Sequence, residues 1–557
     1  MSKANPARKL LFSVDSALLF ISAVSAGILS VHLGQDCNWD LRNYHVYNGY
    51  SFLKNRLLFD VAPAQIQSFL NPVMHVPFYL AVKNLRPVAV GFLIGGIQGI
   101  NIWLVYKMAF LAAPELPALT RYFLSAAAAI TGFTGAASIS ETGTAMGDNI
   151  ISILILAGLL LTVQPIQKPI TKRDGNVFPS WRISFLAGMM MGAAAGLKLT
   201  AFIYLLPFLL ALLSVRTPLY ARARNLFVSL SGAASGFLLI SGYWMLVLWK
   251  HFKNPVFPFF NGFFKSGFYP VSDFADKRFM PRNLLQSLFY PFYFSVRQTL
   301  ASELPLKDMR LAMCYLVLLL FLSTEFYRLA KSRCLKMPVK IRTETGPDNF
   351  FAFMAVFFIF SYILWQKMFS IYRYAAALEI LSPVFILLTL KRIIPAKKVF
   401  YPILSTIIFA YLVFNTSAPE WGRVPWSRDY FDVRIPDMKR FDDSTIIMLG
   451  YDPLSYIIPY FPESARFVRV QSTFVNPGSK NKNLTSAKIA RLLGEARNGR
   501  IYLLTGKNCR TQANEAILRS YGLKPDNHFS AEVRTKFDEL EISSATHKGT
   551  LIKNPER

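Results

Sequence analysis

LLFSVDSALLFISAVSAGILSV, residues 10–31, is a predominantly apolar run, interrupted by the single charge of Asp15 and preceded by Lys3, Arg8 and Lys9. An apolar run of roughly 20 residues is long enough to cross a bilayer as a helix. A signal peptide has the same charge pattern. The run is long for one, however, and no clear small-x-small cleavage site leads into Gln35. The stretch therefore reads as an uncleaved first transmembrane helix with its N-terminus in the cytoplasm.

The rest of the chain repeats the pattern. Of 557 residues, 53% are hydrophobic, 15% aromatic and only 17% charged, with 48 Phe. A soluble domain burying so much apolar surface needs many more charges on its outside. The net charge of +29 raises nucleic acid as a partner, but the Lys/Arg excess sits in short loops between apolar runs. That placement follows the positive-inside rule and argues against nucleic acid.

Further spans are expected at Val88–Leu111, Arg121–Ser138, Ile150–Val163, Ile183–Leu197, Ala201–Ser214, Phe227–Trp249, Met309–Tyr327, Phe350–Phe369, Tyr374–Leu390 and Val399–Phe414. Asn71–Leu85 is too short and too proline-marked to span comfortably. If it lies flat, the basic loops at 166–182, 216–224, 328–348 and 391–398 all fall on one side, as loop charge requires. The count is then about 11 transmembrane helices. The Phe- and Pro-rich segment 254–283 reads as interfacial loop and amphipathic helix.

From about Ser417 the composition changes. TIIMLG, RFVRVQ and RIYLLTG read as short buried strands, and SAKIARLLGEAR and TQANEAILRSYG as amphipathic helices. The expected fold is mainly α, a polytopic membrane domain over residues 1–416, plus a small extracytoplasmic α/β domain over 417–557. Cys37, Cys314, Cys334 and Cys509 have no metal-site spacing, and a Cys37–Cys509 disulfide is open to them.

Chemistry is expected in the first outer loop, residues 32–72, where QDCNWDLRNYHVYNGYSFLKNRLLFDVAPAQIQSFLNP (Gln35–Pro72) gathers Asp36, Asp40, Arg42, Tyr44, His45 and Asp60. A carboxylate where membrane meets water suits a general base serving a lipid-borne and a soluble substrate. The plainer reading is a loop Asp capping the next helix, or, for Asp60, a turn. Glu141 and Asp148 form a second acidic outer turn, with helix capping as the plainer role. Lys198, in GLKLT, is either functional or a snorkelling lysine. Arg373, between Tyr372 and Tyr374, suits bidentate phosphate binding or interfacial anchoring. His45 and His75 read as structural histidines rather than metal ligands.

In order and topology these features resemble the GT-C superfamily of membrane glycosyltransferases, which use polyprenyl-phosphate-linked sugars. An Asp follows the first helix (Asp40 in NWDLRNYH, with Asp36 the nearby alternative), then NPVMHVPFY, a second acidic loop with Asp148 in MGDN, GLKLT, the late pair Arg373–Tyr374 and a C-terminal outer domain. The NWDLRNYH…DVAPAQ…NP stretch also resembles a group of poorly characterised bacterial multi-pass proteins. The resemblance implies inverting transfer of a sugar to an envelope glycan, lipid or protein on the outer face of the bacterial inner membrane. Asp40 would be the base, Glu141 and Asp148 would position the acceptor or a metal, and Lys198, Arg373 and Tyr374 would hold the donor phosphate. A divalent metal, Mg or Mn, is left open. The competing expectation is a transporter or flippase of a lipid-linked sugar. Such proteins tend to show repeated halves, and none is found here.

Overall fold

The computed structural model describes residues 6–167, 180–274, 276–334, 349–396, 398–475, 483–496, 499–507 and 512–548. Cys509 and most of the basic loops at 166–182 and 328–348 lie outside the described residues. Among those described, seven helices are long and apolar enough to cross a membrane: Val14–Leu33, Pro87–Ala112, Asp148–Ile166, Leu219–Phe252, Arg310–Ser332, Asn349–Met368 and Tyr372–Ile393. The other four expected spans are helices too, but shorter: Ala118–Phe133, Trp181–Leu197, Phe202–Ser214 and Phe400–Phe414. At 1.5 Å per residue, 13 to 17 residues reach about 20–25 Å, short of a hydrocarbon core of about 30 Å. Asn71–Leu85 yields only the ten-residue helix His75–Asn84.

The chain divides into two compact units. The first comprises residues 1–34, 91–241 and 275–421; the second comprises 35–90, 242–274 and 422–557. The last stretch of the second unit begins at Gly422, and residues 35–90 and 242–274 belong with it.

The first unit is helical, and the almost wholly buried helix Tyr372–Ile393 lies at its centre. Helix ends meet in two groups. At one end, Arg310 Nε donates to the Thr131 carbonyl at 2.9 Å and its guanidinium reaches Thr416 Oγ1 at 2.7 Å. At the other, Lys391 Nζ lies 2.9 Å from Glu115 and donates to the Ala112 carbonyl at 3.1 Å. Two glycine pairs set the closest helix contact. On helix Trp181–Leu197, Gly188 and Gly192 face the carbonyls of Ser229 and Ala233; on the neighbouring helix, Gly232 and Gly236 face those of Phe185 and Met189. A Cβ at any of the four would stand about 2 Å from a carbonyl oxygen, so only Gly permits this approach.

The second unit is built on a five-stranded sheet of order β4-β3-β5-β7-β6. The three short apolar runs form strands, as expected: β3 (Thr445–Met448), β4 (Arg466–Arg469) and β5 (Ile501–Gly506), which run parallel. The hairpin β6 (Leu523–Arg534) and β7 (Glu539–His547) completes the sheet antiparallel. The two amphipathic helices appear as Leu484–Glu495 and Gln512–Ser520. A separate two-residue pairing joins β1 (Gln35–Asp36) to β2 (Arg423–Val424).

The stretch Gln35–Pro72 belongs to this sheet-bearing unit. Val61 N donates to the Phe467 carbonyl at 2.9 Å and the Val61 carbonyl accepts from Arg469 N at 3.1 Å, which extends the edge at β4. Phe69 packs on Phe252, Phe257 and Phe474 with ring centroids 4.9–5.3 Å apart. The segment from Gly242 onward thus supplies part of the same core.

Candidate functional site

In the helical unit, a buried loop leads from the five-residue helix Ala136–Ser140 into helix Asp148–Ile166. The Thr142 hydroxyl donates to the Ser138 carbonyl and the Thr144 hydroxyl to that of Glu141, so the loop is hydrogen-bonded to itself. Both Asp148 oxygens are held by Lys198 Nζ, at 2.7 and 2.8 Å. Lys198 follows helix Trp181–Leu197 in an extended conformation, which turns its side chain out of the helical path. Its ammonium also lies 4.7 Å from the centre of the Tyr374 ring. The Arg373 guanidinium stands 5.3 Å from the same ring and 5.9 Å from that of Trp421. Two cations thus lie within 5.3 Å of the centre of one aromatic ring, each gaining from the ring quadrupole.

Glu141 lies in this electrostatic neighbourhood. It is fully buried, and neither carboxyl oxygen has a hydrogen-bond partner. Burial first, and then the negative charge of Asp148, push its carboxyl well above the ordinary glutamate range, against the pull of Lys198 and Arg373. For Lys198, burial works to discharge the ammonium, but Asp148 and Tyr374 outweigh it and the net shift is upward. The lysine is therefore a retained cation. Buried polar groups without partners are rare in folded proteins, so the Glu141 carboxyl is the most chemically exceptional group of the cluster.

Five residues singled out from the sequence (Glu141, Asp148, Lys198, Arg373 and Tyr374) therefore come together. Sequence reasoning missed the residues beside them. Trp421 Nε1 donates to Ser140 Oγ at 3.2 Å and brings its ring to Arg373. Glu379, inside an apolar helix, accepts from Ala137 N, Ser138 N and Ser138 Oγ at 2.8–3.0 Å. Asp308 accepts from Ala136 N at 3.0 Å and from the Arg310 guanidinium at 2.5 Å. Two buried carboxylates thus anchor the turn that precedes Glu141. The available signal was an ionisable residue within or beside a long apolar run, which seldom occurs without a partner.

In the sheet-bearing unit, the first-loop residues do different work. Asp36 Oδ1 accepts from both Asn38 N (3.0 Å) and Asn38 Nδ2 (2.7 Å), a local turn-closing role. Asp40 is largely buried and precedes the short π-helix Leu41–His45, but makes no capping hydrogen bond to it. Arg42 pairs with Asp538 at 2.7 Å, and Tyr456 donates to the other oxygen of that carboxylate. Tyr44, His45 and His75 form a ring cluster, with Tyr44–His45 centroids 4.2 Å apart and His45–His75 centroids 4.8 Å apart. Asp60 is taken up by architecture: Arg56 grips it through two 2.8 Å bonds, Tyr47 donates at 3.0 Å and Phe467 N at 2.9 Å. Cys37 carries a free thiol.

Among the described residues, no group of three or more His, Cys, Asp or Glu side chains is arranged to hold a metal ion. Asp148 already gives both oxygens to an ammonium, so this donor set does not fit a divalent cation. Compared with known proteins, the chain matches no family model and no curated protein sequence.

Proposed function

We propose that the chain is an integral membrane glycosyltransferase of GT-C type, moving a sugar from a polyprenyl-phosphate carrier to an envelope glycan, lipid or protein. The observation that carries this reading is the pair of cations, Lys198 and Arg373, on the Tyr374 ring beside the buried carboxyl of Glu141. As sugar C1 leaves the phosphate oxygen, negative charge grows on a phosphate that Lys198 and Arg373 neutralise. Fixed cations in a water-poor site are effective at this. Arg is also suited to paired contacts with phosphate oxygens. The acceptor hydroxyl attacks C1 with inversion, its proton passes to a carboxylate base, and polyprenyl phosphate departs.

The base is assigned to Asp40 by resemblance. Asp36, with one oxygen committed to Asn38, is the weaker choice. The proposed topology has about 11 passes, counting the four shorter helices, with the basic loops in the cytoplasm and the sheet-bearing unit outside the inner membrane. Glu141 and Asp148 shape the acceptor side of the cluster without a metal.

The test uses purified protein in detergent and a labelled polyprenyl-phosphate sugar. Release of polyprenyl phosphate, lost in Lys198→Met and in Asp40→Asn while both variants insert and elute normally, supports the assignment. Full activity in both Asp40→Asn and Asp36→Asn removes the base mechanism. Movement of the intact donor across a bilayer without any cleavage favours a flippase instead.

A further inference from the structure

We infer that a tyrosine-lined cleft in the sheet-bearing unit binds a neutral oligosaccharide. This concerns binding alone and does not require sugar transfer, so either reading can fail without the other. The cleft encloses about 640 Å³, the size of a site for a compact organic ligand. Helices Val46–Leu53 and His75–Asn84 supply one part of its lining. They approach so closely at Gly49 that a Cβ there would lie 2.5 Å from the His75 carbonyl oxygen and 2.6 Å from Tyr79 Cβ. That approach sets the Tyr50 and Tyr79 rings 5.9 Å apart, centre to centre. The rest of the lining is the segment Arg428–Val433 and the end of the 3₁₀ helix Ser455–Tyr460. Pro459 and Pro462 fix the backbone on either side of Tyr460, so its ring is in place before a ligand arrives.

Three observations define the ligand. The first is hydrogen-bonding capacity. Tyr50 and Tyr79 are only 3% and 9% exposed, yet among the described residues nothing bonds to either hydroxyl, and both hydroxyl oxygens keep accessible surface. Burial first, and then the charge of Asp429, push the Tyr460 hydroxyl up to about 12. Burial, opposed by Arg56, brings Tyr50 to the same value. These phenols are neutral, and a neutral phenol both donates and accepts, as a sugar hydroxyl does. The second is the Asp429 carboxylate, which is exposed in the lining and has no ion-pair partner among the described residues. It is free to take charge-assisted bonds from neighbouring hydroxyls of one sugar ring. The third is net charge. Lys54, Lys83 and Arg428 balance Asp429, Asp432 and Glu463, and Lys54 already lies 2.5 Å from Glu463. A cleft without net charge gives a phosphate ester or a nucleic acid no electrostatic advantage. An apolar ligand would cover the tyrosine hydroxyls without bonding them. A proline-rich peptide would stack on the rings but brings few N–H donors to Asp429. A pyranose has an apolar C–H face for the rings and a rim of hydroxyls for the phenols and the carboxylate.

The experiment uses the full chain, fluorescently labelled, in a zwitterionic detergent that carries no sugar. It is applied to an array of neutral oligosaccharides, acidic oligosaccharides and a proline-rich peptide, and the neutral oligosaccharide bound best is titrated by saturation-transfer NMR. Wild type should prefer neutral oligosaccharides. Tyr460→Ala should weaken binding about fivefold, the worth of one aromatic stacking contact. Asp429→Asn should weaken it about tenfold, the worth of a hydrogen bond to a charged group. Tyr79→Phe, which removes a single oxygen, should weaken it about threefold. Arg491→Gln, an exposed charge outside the cleft lining, should leave it unchanged. Absence of binding to every neutral oligosaccharide overturns the inference, as does a preference for acidic oligosaccharides or for the peptide. So does an affinity that all three cleft variants leave unmoved, or one that Arg491→Gln lowers equally. Should Tyr460→Ala fail to elute as a monodisperse species, the near-isosteric Tyr79→Phe and Asp429→Asn decide the matter.

Discussion

Replacing Asp60 by Ala should destabilise the sheet-bearing unit severely. The carboxylate receives two hydrogen bonds from Arg56, one from Tyr47 and one from Phe467 N, and both partners of the ion pair are almost fully buried. Without Asp60, the guanidinium keeps only the carbonyls of Glu463 and Ala465 as acceptors. Breaking a buried pair by removing one partner costs about 3–5 kcal/mol. The orphaned Phe467 N–H adds to this, because it lies at the edge of the sheet. For a unit of this size, each kcal/mol moves the melting temperature by about 2–4 °C, so a fall of roughly 6–20 °C follows. Thermal unfolding of the full chain in detergent, followed by tryptophan fluorescence, measures it. The double variant Arg56→Met, Asp60→Leu should recover most of the loss, since an apolar pair of similar volume replaces a buried ion pair at little cost. An Asp60→Ala protein melting with wild type, or a double variant no better than the single one, would refute the reasoning.

Three further outcomes are expected. Because the folded pKa of Glu141 is raised, this group contributes stability that is fully present below the ordinary value of about 4.3 and is lost as pH rises through the folded value. Melting temperatures should therefore decline over that window in wild type and much less in Glu141→Gln. Gly192→Ile places a side chain against the Ala233 carbonyl and should part the glycine seam, lowering the yield of monodisperse protein severalfold where the exposed Leu239→Ile does not. Burial first, and then Asp36, raise the Cys37 thiol. Alkylation by iodoacetamide at pH 7 should accordingly be slower than for an exposed thiol, and should accelerate in alkaline solution.

Hydropathy and loop charge made the helices legible, because a bilayer-crossing segment must be apolar along its whole length. The short parallel strands were also visible as continuous apolar runs. The β6–β7 hairpin was not, since residues such as Lys524, Asp526, Glu541 and His547 break the apolar pattern along its partly exposed strands. Within the site, Lys198 and Arg373 were visible because a charge beside an apolar run is costly and noticeable. Trp421 was hidden among the many aromatics of a chain that is 15% Phe, Trp and Tyr. Asp60 looked like a site residue for the same reason that it is structural: a carboxylate among tyrosines and arginines has partners, and sequence cannot say whether those partners are protein or substrate.

The bond between Asp60 and Phe467 spans 407 positions of the chain. At about 5–20 residues per second, a ribosome needs roughly 20–80 s to deliver the second partner after the first. During that time the stretch Gln35–Pro72, with Phe69 and its unpaired strand edge at Val61, has left the ribosome without the surface that covers it. Biogenesis of this protein therefore contains an obligatory waiting period, and a chaperone able to hold an aromatic, edge-exposing segment in that interval would govern how much of it survives to maturity.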